Sequence, residues 1–205
     1  MKYLYKIYLK DEIPLLVFIL IVFVAGIFFG AIAVNLIDYS VKQDLFNYFN
    51  DFLNNINRMD YSSGMIFSDS IRFNLLNIFI IWVFGLSVIL MPLIPVFVFF
   101  KGFILGFTVG FLTLQYSFRG VIVAVFTVFP QNILIVPAYL LAGVTGVSFS
   151  LHIIRFLWEK QDFSSGDFID YSLRILLLSF LLLGGSLLET YLSPLIFRFL
   201  AAYLF

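Results

Sequence analysis

The chain has 205 residues, of which 62% are hydrophobic and 12% charged, with 12 basic side chains against 12 acidic ones. That is too little polar surface for a water-soluble fold, and a net charge of zero supplies no basic patch for phosphates, which excludes nucleic acid as a partner. Cysteine is absent and His152 is the single histidine, which removes disulfides, thiol chemistry, Cys-based metal sites and any HExxH motif.

Where the charges fall decides the class. Between Phe73 and Ile154 only Lys101 and Arg119 carry a formal charge. A spanning helix needs roughly 20 apolar residues, and an ionised side chain at the bilayer centre costs several kcal/mol. The expected fold is all-α, a polytopic helical bundle in the lipid bilayer with about five transmembrane helices, forming one domain over 1–205.

The first crossing is expected over 13–37, an uncharged run bounded by Lys10-Asp11-Glu12 and by Asp38, with Pro14 in its first turn where proline is tolerated. A polar loop follows over 38–72. Within it Leu45, Phe49, Phe52, Leu53 and Ile56 recur at three- and four-residue spacing among asparagines and aspartates, which predicts an amphipathic helix. Such a helix lies in the membrane interface or offers a docking face, with Leu45, Phe49, Phe52 and Ile56 as its partner-binding candidates.

The second crossing is expected over 74–99, with Pro92 and Pro95 late in it, and the third over 102–118. Lys101 between them is expected to snorkel to the interface. Gly102, Gly106 and Gly110 line one helical face and let another backbone approach closely, within the chain or in a homodimer.

The fourth segment, 120–151, is longer than one crossing needs and too short for two. It holds Pro130-Gln131-Asn132 and Pro137, which predicts a helix broken by prolines whose freed carbonyls the two amide side chains can satisfy. Such a break serves packing or builds a polar intramembrane site. The fifth crossing is expected over 173–190, ending at Glu189, which is placed at the outer interface. Lys2, Lys6 and Lys10 favour a cytoplasmic N-terminus, with seven basic residues inside against five outside. The 38–72 loop then faces outward.

No catalytic constellation is legible. There is no GxSxG nucleophile elbow and no GxxxxGK[ST] phosphate loop, and His152 has no recognisable nucleophile. The chain is read as a non-enzyme that needs no cofactor and no metal.

An ordered set of motifs resembles the stage II sporulation protein M family. These are Gly26-Ile27-Phe28-Phe29-Gly30-Ala31 followed by Lys42-Gln43-Asp44-Leu45, then Asn74, Asn77 and Gly85, then Gly102, Gly106 and Gly110. Pro130-Gln131-Asn132-Ile133 with Pro137-Ala138, and Leu188-Glu189 with Ser193-Pro194, complete the set. Two positions depart from the broader pattern. Pro130-Gln131-Asn132 and Ile135 stand where more distant relatives carry Pro-His-Gly and an acid, which points to the sporulation branch. Lys101 stands where asparagine is common before Gly102, so no polar role is carried over to it.

The resemblance implies a membrane scaffold in the mother-cell membrane at the sporulation septum, required for engulfment. It implies partners too, the peptidoglycan-degrading stage II sporulation proteins P and D. The rival reading is a channel or transporter subunit, in which the broken segment exposes Gln131 and Asn132 at mid-membrane depth.

Overall fold

A computed structural model describes residues 2–55, 63–159 and 164–204. Every regular element among them is a helix: α1 Lys2–Leu36, α2 Tyr39–Asn55, α3 Ser63–Leu86, α4 Leu93–Thr127, α5 Phe129–Glu159, α6 Ser165–Leu187 and α7 Ser193–Leu204. A single π-helical turn, Leu188–Leu192, joins the last two. Five helical stretches are long and apolar enough to cross a membrane, Glu12–Leu36, Phe67–Leu86, Leu93–Thr127, Phe129–Trp158 and Ser165–Ile196. The all-α polytopic bundle is therefore as expected.

The most extensive interface joins α1 to α4, and glycines make it. A Cβ on Gly102 would run into the Phe23 carbonyl, one on Gly106 into Ile27, and one on Gly110 would stand 3.1 Å from Ala31 Cα. Gly26 and Gly30 answer from α1, against the carbonyls of Phe99 and Phe103. Both sets of numbers rise together, so the two helices run parallel. Small residues are what bring membrane helices close, since lipid tails leave no hydrophobic driving force between them. The stripe of Gly102, Gly106 and Gly110 thus serves a contact inside the chain.

Helix boundaries differ from the expected ones at three places. The second crossing ends at Leu86, and the connection is a run of turns over 87–92, held by Met91 N–H donating to the Ser87 carbonyl and Leu93 N–H to that of Leu90. Lys101 therefore lies inside α4 and not in a connection between 74–99 and 102–118. Pro92 opens α4, its fixed φ suited to a helix start, while a lone cation on an apolar stem does not end a helix. Similarly, α6 begins at Ser165 because Ser164 caps it, with Asp167 completing a reciprocal capping box. Much of the expected polar loop is also helical, since α3 starts at Ser63.

The expected boundary between the third and fourth crossings, at 118–120, is present as a reversal inside α4. Ser117 adopts φ 51°, ψ −130°, and a Cβ on Gly120 would strike the Leu112 carbonyl, which only a chain doubling back allows. From there the order of contacts is monotonic. Val123 and Ala124 cluster with Leu112, Gly143 faces Val98 and Ile94, and Gly146 faces Ile94 and Ile81. The segment from Phe118 through α5 thus descends once along the first limb of α4 and does not re-enter. It is interrupted at Val128, just before Pro130.

The core is centred on α5, with Ile19, Ile81, Ile94, Val98 and Leu182 fully buried around Ala138 and Ala142. Phe149 stacks on Tyr171 at 4.2 Å between ring centroids. Outside this core, α2 is fastened to the reversal of α4 by Phe46 and Phe49, whose rings lie 6.2 and 5.6 Å from that of Tyr116.

Candidate functional site

Polar residues from four of the spans converge on a cavity of about 350 Å³. α3 supplies Ser70, Phe73 and Asn74, and α4 supplies Lys101, Ile104, Leu105 and Thr108, each set on one helical face at three- and four-residue spacing. Val128, Gln131, Asn132 and Ile135 line the side formed where the helix is interrupted, and Glu189 enters from the π-turn.

Depth follows from helix geometry. Glu12 and Arg174 pair at 2.8 Å and mark one end of the bundle. Glu189 lies fifteen residues beyond Arg174, about 22 Å deeper at roughly 1.5 Å per residue. Lys101 adjoins Gly102, which faces Phe23 in the middle of the uncharged first crossing. Both charges are intramembrane. Neither the expected snorkelling of Lys101 nor the expected interfacial placement of Glu189 holds, because the side chains have each other's field and a polar cavity to face.

The shell around the cavity is tightly bonded. Ser70 Oγ donates to Glu189 Oε2 at 2.5 Å, across 119 residues of sequence. Asn74 Nδ2 donates to Ser186 Oγ at 3.0 Å, and the Tyr139 hydroxyl donates to Asn74 Oδ1 at 3.2 Å. Asn77, one turn along α3, adjoins that same hydroxyl. Ser193 Oγ donates to Gln131 Oε1 at 2.5 Å, and Asn132 Nδ2 donates to the Val128 carbonyl at 2.7 Å. That last bond reaches back one turn to Val128. The carbonyls that Pro130 and Pro137 leave without a donor are those of Phe126 and Ile133, so it is not the expected satisfaction of a freed carbonyl.

The ligand-facing atoms are different. Among the described residues, Lys101 Nζ makes no hydrogen bond and no ion pair, and it is held over the Tyr139 ring at 4.7 Å and the Phe73 ring at 5.6 Å. Gln131 Nε2, Asn132 Oδ1 and Glu189 Oε1 likewise have no partner among them. The cavity therefore presents both unused donors and unused acceptors.

The remaining motif residues have structural places. Gly85 meets Gly146 and Tyr171 at the crossing of α3 and α5, and its carbonyl accepts from Ser150 Oγ at 2.7 Å. Pro130 sits in the first turn of α5, whereas Pro137 is inside that helix with its ring exposed. Pro194 follows the π-turn and has no N–H for the Thr190 carbonyl four residues back, which lets that turn widen and set Glu189 toward the cavity. Leu45 is half-buried on α2 and Phe49 packs on Tyr116, while Phe52 is placed by its backbone alone and Ile56 lies outside the described residues. Sequence reasoning missed Ser70, Tyr139 and Ser186, and it held Ser193 only as part of the motif with Pro194. Their signal was a polar atom in an apolar run, which is common in membrane helices.

A helical membrane protein with five crossings, with a cavity between its helices that carries both signs of charge, is the class that fold and site define. The chain belongs to the stage II sporulation protein M family, whose model matches residues 19–194. Those limits take in every described residue that lines the cavity and all five crossings in whole or in part. No curated protein and no solved structure matches the chain. Family membership makes it a sporulation-related, multi-pass membrane protein.

Proposed function

We propose that the protein is a non-enzymatic membrane scaffold for engulfment during endospore formation, recruiting peptidoglycan-degrading partners to the sporulation septum. The observation that carries this reading is the mounting of α2. Its inner face is spent on Tyr116, while Tyr48 on the far side and Tyr39 at the first turn are both about four-fifths exposed. A helix so fastened to a transmembrane hairpin is a fixed platform, and exposed tyrosines are common anchors of protein interfaces. The partners implied by the resemblance are stage II sporulation proteins P and D, met on the outer face of the mother-cell membrane. A cytoplasmic N-terminus fits that placement, although moving Lys101 into the membrane reduces the basic bias to six against five.

The test is co-purification from sporulating cells. Tyr39→Ala with Tyr48→Ala should lower recovery of the hydrolases about tenfold at unchanged membrane levels of the protein, the loss of roughly 1.4 kcal/mol of binding. Unchanged recovery would remove α2 as the docking face.

The cavity favours a second reading, a transporter or channel subunit, because it reaches Asn132 at depth. Purified protein in liposomes that passes no ion or small solute above empty liposomes would end that reading.

A further inference from the structure

Two opposite charges line one intramembrane cavity and do not touch. Lys101 and Glu189 are close enough for Glu189 to act on Lys101 through its field, yet no ion pair within 4.0 Å joins them. Leaving a charge unpaired in such a place is unfavourable, and its donors or acceptors must be met by water or by a ligand. The unused atoms are of both kinds. Donors sit on Lys101 Nζ and Gln131 Nε2, and acceptors on Glu189 Oε1 and Asn132 Oδ1. Their complement is a small molecule with an anion at one end and an N–H-bearing cation at the other. The volume of about 350 Å³ lies at the small end of ligand pockets, which run from roughly 300 to 1,000 Å³.

Access distinguishes among such molecules. Phe73 and Ile104 line the cavity and are also more than half exposed, so it opens sideways between α3 and α4, on the flank that lipid covers. α3 and α4 share few contacts, which leaves the gap between them. Ser70 stands seven residues from the start of α3, about 10 Å along the helix, while Lys101 stands sixteen residues before Ser117, so the cavity runs from mid-membrane toward the leaflet at the Ser117 end.

We propose that this cavity binds a phosphate–ammonium zwitterion of the phosphoethanolamine type. The phosphate sits on Lys101 and Gln131, and the ammonium donates to Glu189 and Asn132. The proposal goes beyond the scaffold reading and does not depend on it. The same chemistry is available as a lipid headgroup or as a free solute, and the experiment separates them.

Full-length protein is purified in detergent and its thermal midpoint measured with phosphatidylethanolamine, phosphatidylcholine or phosphatidylglycerol at equal mole fraction, and with soluble phosphoethanolamine. Phosphatidylethanolamine should raise the midpoint by several degrees more than the other two lipids, because choline has no N–H to donate and glycerol has no cation. A rise with soluble phosphoethanolamine at millimolar concentration assigns the site to a free solute; a rise with the lipid alone assigns it to a headgroup. Lys101→Met and Glu189→Gln should each remove the selective rise. Both variants are suited to folding, since the first deletes a buried charge and the second keeps the acceptor for Ser70. Equal shifts with all three lipids, no shift with any probe, or a selective rise retained in both variants would overturn the proposal.

Discussion

The ammonium of Lys101 stands 4.7 Å from the centre of the Tyr139 ring, whose hydroxyl at the other end donates to Asn74. One aromatic side chain thus holds a cation in the membrane and ties α5 to α3. A desolvated cation–π contact contributes about 2 kcal/mol. Tyr139→Leu should cost that much more in wild-type protein than in a Lys101→Met background, a coupling read from a double-mutant cycle of detergent-titration unfolding. Additive effects would mean the ring does not support the charge.

Gly106→Ala should be the most damaging of the mild substitutions on the α1–α4 seam. Its new methyl would meet Ile27 backbone, with Cα only 2.8 Å away, and backbone cannot step aside. We expect a loss of about 2 kcal/mol or more, as for other overpacked sites. Gly110→Ala meets Ala31 Cα at 3.1 Å and should cost less, and Gly166→Ala, facing only Ser164 Oγ at 3.5 Å, should change little. Thermal midpoints of the three variants give the ranking. A ranking in which Gly166→Ala is worst would contradict the packing.

Ser70→Ala removes the hydroxyl that donates to Glu189 at 2.5 Å. A hydrogen bond to a charged group contributes about 1.5–3 kcal/mol, so the variant should lose stability in that range, whereas Ser70→Thr should retain most of it. Equal stability of the alanine and threonine variants would show that Glu189 finds another donor.

Ser117 is the one described non-glycine residue at positive φ. Ser117→Gly should stabilise by up to about 1 kcal/mol, because glycine enters that region without strain. Ser117→Val should destabilise by more, its branched Cβ crowding the backbone. Refolding yield and melting of the two variants, compared with wild type, decide it.

Tyr116→Ala should release α2 and leave the crossings intact. Limited trypsin digestion in detergent would then cut at Lys42 several-fold faster than in wild type. An unchanged rate would mean that α2 is held by something other than its aromatic contacts.

The bundle itself was legible, because burial in lipid is written in long uncharged runs such as 13–37. The amphipathic helix carrying Leu45 and Phe49 was legible from its three- and four-residue period, and the interruption beside Pro130 from its proline. The connection at 87–92 was not, since Ser87-Val88-Ile89-Leu90-Met91 carries no charge and reads as membrane. The reversal at Ser117 was legible to within a few residues, because Arg119 and Gly120 close the third uncharged run. Least legible was the cavity. Lys101 and Glu189 are far apart in sequence and each has a sensible interfacial reading alone. Only the parallel seating of α1 on α4, and the widened turn before Pro194, place both charges at depth.

That parallel seating also orders the making of the protein. The surface of α1 is shaped for a helix that begins only at Leu93, long after α1 ends at Leu36. During synthesis the first segment must wait in the bilayer, its glycines uncovered, while the next one is inserted. Any factor that shields nascent membrane segments has its longest task here, and slowing translation between 37 and 92 lengthens it.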